Sequence, residues 1–136
     1  MCESVFNFPV RVYYEDTDAG GVVYHARYLY FFERARTEYL RSLHFSQQAL
    51  LNEQQLAFVV KTMNIDYCFP AKLDDLLVVE TKIMSVKGAT LLFSQLLKKE
   101  NVILCEATVK VACVDLGKMK PVAIPKEIKI ALESYL

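Results

Sequence analysis

Residues 11–28 read RVYYEDTDAGGVVYHARY and gather the parts of a reactive site in one short stretch. Glu15, Asp16 and Asp18 crowd three carboxylates together. Gly20-Gly21 follows, a pair that reaches torsions closed to other residues and lets a ligand approach the main chain. A helical pattern begins near Tyr24–Ala26, and the unpaired N–H groups and positive dipole end of a helix start favour developing negative charge. A carboxylate facing such an end can attack a carbonyl carbon, with helix N–H groups serving as the oxyanion hole. The competing reading is that Asp16 or Asp18 caps a turn and the glycines serve that turn. Spacing alone leaves the two open.

The elements that would position this loop follow from periodicity. Residues 5–14, VFNFPVRVYY, are rich in β-branched and aromatic types and predict a first strand, with Pro9 marking an edge or a bend. Residues 26–44 switch to helical period. Tyr28, Phe32, Ala35, Tyr39 and Leu43 form one stripe widened by Leu29 and Phe31, and Glu33, Arg34, Thr37, Glu38 and Arg41 take the other side. Arg34 and Glu38 are spaced to pair, a gain of a few tenths of a kcal/mol. A short second helix is expected over about 46–54, ahead of strands at 56–68, 76–86, 90–99 and 102–115. Lys87-Gly88 and Glu100-Asn101 read as hairpin turns, and Pro125 suits the start of a closing helix over 125–135. A strand, a long helix and then four strands imply an α+β fold whose antiparallel sheet, about five strands wide, wraps the amphipathic helix.

Composition narrows the function. A chain of 136 residues, 54% apolar and 24% charged, is one globular domain. With a formal net charge of +0 and no strongly basic stretch, it lacks the footprint of a nucleic-acid binder or of a protein held on an anionic membrane. No apolar run reaches the length of a transmembrane segment, and MCESVF is not the opening of a signal peptide, so the cytoplasm is the expected location. Cys2, Cys68, Cys105 and Cys113 form no C-x-x-C pair and read as small hydrophobes. The two histidines, His25 and His44, lack metal-ligand spacing, so neither a metal nor another cofactor is expected. His44, at the end of the long helix, is given no chemistry. Glu33, on its polar side, is expected to be solvated or locally paired.

The stretch RVYYEDTDAGGVVY at residues 11–24 resembles the signature of the 4-hydroxybenzoyl-CoA thioesterase family. The HARY that follows, with the long aromatic helix, is similar to the YbgC branch of that family, bacterial acyl-CoA thioesterases associated with the Tol-Pal system. The likeness is strongest over residues 11–45. It implies a hotdog fold, dimers joined sheet edge to sheet edge, frequent tetramers, and active sites at the dimer interface. It implies hydrolysis of a thioester of CoA, or of acyl carrier protein, to free acid and thiol.

Residue by residue, the resemblance makes Asp18 the catalytic carboxylate, either nucleophile on the thioester carbonyl or general base toward water. His25 would orient the thioester or the water, and Tyr14 would line the same pocket. Tyr24, with Gly21 before it, would mark the helix start that polarises the carbonyl. In such a dimer the strand after the helices approaches the partner's site, so Val59, Val60 and Lys61 are candidates for the pantetheine tunnel, against a reading of the two valines as plain core. Lys87, Lys118 and Lys120, at predicted turns, could meet the CoA phosphates, against ordinary surface lysines. Two other readings remain: a hydroxyacyl dehydratase using His25 and Asp18 as its acid/base pair, and a non-catalytic subunit that binds an acyl carrier or an envelope complex.

Overall fold

Two strands with strict inward–outward alternation set the architecture. Leu77, Val79, Thr81 and Ile83 of one, and Leu91, Phe93, Gln95 and Leu97 of the other, all point inward and are buried. The computed structural model describes residues 5–43, 52 and 54–136. In chain order the elements are β1 (Phe6–Arg11), a single 3-10 turn (Tyr14–Asp16), α1 (Arg27–Ser42), β2 (Leu56–Tyr67), β3 (Leu76–Lys87), β4 (Thr90–Lys99), β5 (Val102–Asp115), β6 (Lys120–Pro121) and α2 (Lys126–Glu133). The helix expected over about 46–54 falls largely outside the described residues, as do His44 and Cys2.

All strand pairings are antiparallel, in the order β1-β3-β4-β5-β2, and the two-residue β6 lies against the end of β5. The sheet wraps α1, the hotdog arrangement. Pro9 sits on the edge strand β1, where a missing N–H costs no ladder bond if it faces outward. The β3–β4 hairpin turns at Gly88, whose φ of +60° is a conformation that glycine adopts without strain. The first strand is shorter than its composition suggests. The chain leaves the sheet after Arg11, because the Asp16 carboxylate captures the Tyr13 N–H at 2.8 Å and folds the next residues into a turn.

Helix α1 buries Tyr28, Phe31, Phe32, Ala35, Tyr39 and Leu40, close to the expected stripe. Leu29 departs from it and is 41% exposed. Arg36 departs the other way and is only 8% exposed. Its host is a polar pair inside the apolar sheet, Thr81 and Gln95, which are register partners on β3 and β4. Arg36 Nη1 donates to Gln95 Oε1 at 3.0 Å. Gln95 Nε2 donates to the Phe32 carbonyl of the helix and to Thr81 Oγ1, both at 3.0 Å. Burial lowers the Arg36 pKa from its ordinary value, opposed by the nearby Glu33 carboxylate. On the outer face of the helix, Glu38 pairs with Arg41 rather than with Arg34.

Gln95→Leu would keep the side-chain volume but strand the buried Arg36 guanidinium and the Thr81 hydroxyl. The expected loss is about 2–4 kcal/mol in urea unfolding, against less than about 0.5 kcal/mol for Glu38→Ala on the exposed pair. Equal losses from the two substitutions would refute the clamp role of Gln95.

Candidate functional site

The carboxylate loop rests on the segment that leads into β3. Val12 N–H donates to Asp75 O at 2.9 Å, Asp74 N–H to Val12 O at 3.0 Å, and Val23 N–H to Ala71 O at 2.8 Å. That platform has its own lock. The Asp75 carboxylate accepts the Lys72 N–H at 2.9 Å and the Lys99 ammonium at 3.0 Å. Partial burial works against its charge, but the Lys72 N–H and Lys99 outweigh it and hold the pKa below the usual carboxylate value. Tyr28 reaches the same segment from the helix, its hydroxyl accepting the Ala71 N–H at 3.1 Å.

Within the loop Asp16 and Asp18 have separate tasks. Asp16 is buried and structural: beside the bond from Tyr13 it meets Arg27 Nε at 3.2 Å, and its carbonyl accepts the Tyr24 N–H at 2.9 Å. Asp18 is exposed, and its Oδ1 accepts the Gly20 N–H at 2.8 Å. Its main chain closes a tight turn, with Asp18 N–H on Val22 O at 2.8 Å and Gly21 N–H on Asp18 O at 3.1 Å. Gly21 holds a φ of +80°, and a Cβ at Gly20 would sit 3.3 Å from Asp18 Oδ1. Asp18 therefore does form a turn, with one oxygen. Its Oδ2 has no hydrogen-bond partner among the described residues.

Asp18 lines a cleft of about 400 Å³ together with Thr17, Tyr24, Ala26, Arg27 and Tyr30. Helix α1 begins in this cleft, with Ala26 at its cap. The amides of Gly21 and Tyr24 are already bonded to Asp18 O and Asp16 O, so neither is a free donor. Among the described residues the amides of His25 and Ala26 have no such bond, so the available helix-start N–H groups lie one and two positions past Tyr24.

The remaining candidates are dispersed in the single chain. His25 opens onto a different cleft, about 270 Å³, with Tyr28, Tyr67, Cys68 and Phe69. Its ring lies 4.5 Å from that of Tyr24, and its carbonyl accepts the Tyr67 hydroxyl at 2.9 Å. Tyr14 is 82% exposed on the 3-10 turn, outside the Asp18 cleft. Val59 and Val60 are not core: they are 41% and 50% exposed on β2, an end strand of the sheet. Val60, with Phe58, lines a third cleft of about 280 Å³ beside Arg36 and Glu33. Lys61 falls at a β-bulge, where the pairing steps from Val60 to Thr62. Lys87, at the far end of β3 from the carboxylate loop, is roughly 35 Å along the strand from Leu76. The turn and β6 that carry Lys118 and Lys120 bond near that same far end, through Val122 on Cys113 and Ile124 on Gly88. The cations near the loop include Arg11, Arg27, Lys72 and Lys99.

Arg27 and Tyr30 join the cleft without having stood among the candidates read from the sequence. A signal for Arg27 existed. It is the first residue of α1, where a positive charge opposes the helix dipole and needs a local anion to be comfortable.

The residues from 12 to 132 match the model of the Thioesterase-like superfamily. The chain is 74% identical over 131 residues to the acyl-CoA thioesterase YbgC of Haemophilus influenzae, covering 96% of each protein. It is 58% identical over 129 residues to the acyl-CoA thioester hydrolase YbgC of Escherichia coli, covering 94% of this chain and 96% of that one. Among solved structures, a probable thioesterase from Bartonella henselae superposes with a TM-score of 0.85 at 39% identity, covering 90% of this chain and all of that one. The chain belongs to the Thioesterase-like superfamily, as a thioester hydrolase of the YbgC type.

The platform under the loop makes a pH signature. Asp75 has a lowered folded pKa, so its contribution to stability is present above the ordinary carboxylate value of 3.8 and is lost as pH falls through the folded value. Wild type is expected to unfold at higher urea than Asp75→Asn at about pH 5–6, with the midpoints converging towards about pH 2. A gap that stays constant down to pH 2 would show that Asp75 contributes nothing through its charge.

Proposed function

We propose that this chain hydrolyses acyl-CoA thioesters with Asp18 as the reacting carboxylate. The observation that carries the proposal is the division of labour between its two oxygens: Oδ1 is anchored on the Gly20 amide, Oδ2 has no partner among the described residues, and Asp18 lines a cleft that also holds the start of α1. A thioester carbonyl set in this cleft would present its carbon to Oδ2, or to a water held by it, and its oxygen to the helix-start amides of His25 and Ala26. Direct attack forms an anhydride between Asp18 and the acyl group and releases the CoA thiolate, and water then opens the anhydride. General-base attack removes a proton from water and needs no covalent intermediate. In both, negative charge gathers on the thioester oxygen at the helix end. A carboxylate suffices because a thioester is more electrophilic than an ester or amide.

Free-thiol release from a panel of acyl-CoAs, short to long and aliphatic to aromatic, tests this. Asp18→Asn is expected to lose at least about 100-fold in kcat while keeping its unfolding midpoint. Undiminished turnover by that variant would remove Asp18 from the mechanism. Running the same acyl groups on acyl carrier protein decides which thiol carrier the enzyme takes.

The site is completed by a second copy. β2 is twelve residues long, pairs among the described residues only with β5, and leaves most of its residues exposed along a sheet edge. Such an edge invites another strand, and it carries Phe58 and Val60 of the third cleft. The protein is expected to elute at the mass of a dimer or a tetramer. Val60→Asp, which sets a charge at the joining edge, is expected to lower both the mass and the thiol release. A wild-type monomer with full turnover would contradict this.

A further inference from the structure

We infer that Arg27 is a positioning residue for the Asp18 carboxylate, acting through Asp16 rather than through the substrate. The inference rests on the reading of Asp18 as the reacting group. The Arg27 guanidinium is held from three sides: Nε meets Asp16 Oδ1 at 3.2 Å, Nη2 donates to the Glu15 carbonyl at 3.4 Å, and its central carbon lies 4.9 Å from the centre of the Tyr30 ring. The Asp16 side chain is 8% exposed and that of Arg27 27%, so the pair is shielded on the carboxylate side. A cation at the first position of α1 works against the helix dipole, and Asp16 is the anion that offsets it.

The consequence for Asp18 follows along the chain. Asp16 has two carboxylate contacts, Tyr13 N–H and Arg27, and its carbonyl takes the Tyr24 N–H. The next residue, Thr17, bridges to Val23, and the one after is Asp18. Arg27 thus ties the first arm of the loop to the helix whose N-terminus faces the reaction. Without it, a buried carboxylate keeps a single amide partner and the arm can swing. A misplacement of about 1 Å at the reacting group costs about 100-fold in rate. Binding of the CoA moiety is expected to be largely spared, because Nε and Nη2 are turned to Asp16 and the Glu15 carbonyl.

The test is a double-substitution cycle in kcat and KM with the best acyl-CoA, using Arg27→Gln, Asp16→Asn and both together, with Asp18→Asn alongside. Each single variant is expected to lose about 10- to 100-fold in kcat, with KM within about twofold of wild type. The double variant is expected to fall within about threefold of the weaker single, because both remove one contact. Arg27→Lys, which keeps the charge but not the fork, is expected to lie between Arg27→Gln and wild type, and it serves if Arg27→Gln does not fold. A rise in KM with kcat intact would overturn the inference by making Arg27 a substrate contact. Losses that multiply in the double variant would overturn it too, as would wild-type kinetics in Arg27→Gln and Arg27→Lys. If Asp18→Asn turns over normally, the Asp18 mechanism itself fails; if only Asp18→Asn is inactive, that mechanism stands and the role of Arg27 falls.

Discussion

The Gln95 side chain is where helix and sheet become one body. It is fully buried, and its oxygen and nitrogen are both spent: on Arg36, on the Phe32 carbonyl and on Thr81. Apolar packing alone would let a sixteen-residue helix slide or roll on a twisted sheet at small cost. A buried fork cannot slide, because any shift leaves polar atoms unpaired in a low-dielectric interior. The apolar side chains of the core, Phe31, Phe32, Phe93 and Leu97 among them, supply most of the burial energy. The fork selects one arrangement among those they would permit.

That constraint reaches the site by two routes. The register of α1 fixes where its N-terminus emerges. Independently, the sheet fixes residues 71–75, and these hold the loop through Val12 and Val23. Asp18 sits at the joint between the two routes, which is why so many backbone bonds converge within a dozen residues around it. A carboxylate anchored by neither oxygen would wander, and one anchored by both would be a poor nucleophile. On the proposed reading of Asp18, one oxygen on Gly20 and one without a partner among the described residues is the compromise a reactive carboxylate needs.

Much of this was legible in the chain itself, and most of what was not depends on residues far away in sequence. β4 and β5 begin and end where alternation places them, because period two is a local property. The carboxylate loop was legible for the same reason: Asp18, the glycines and the helix start lie together in sequence. The burial of Arg36 was not, because its acceptor Gln95 is 59 residues away. Val59 and Val60 lie in an apolar run like that of any strand, but such a run does not report whether its strand is central or at an edge. The overlong first strand reflects a local competition, in which the Asp16 carboxylate outbids the sheet for Tyr13. Lys87, Lys118 and Lys120 do fall at or beside turns, but turn chemistry does not say which end of the sheet a turn occupies.

The exposure of the site bears on its chemistry. Asp18, Tyr24 and His25 are all exposed in the single chain. Electrostatic stabilisation of an oxyanion by two amides is weak in water and strong only where solvent is displaced, since the attraction scales inversely with the local dielectric. A cleft open to solvent would therefore bind a thioester without greatly accelerating its hydrolysis. Either the bound acyl group or the proposed second copy must exclude that water. A short acyl group has too little surface to do so alone, so the dependence of turnover on assembly should be steepest for short chains and weakest for long ones.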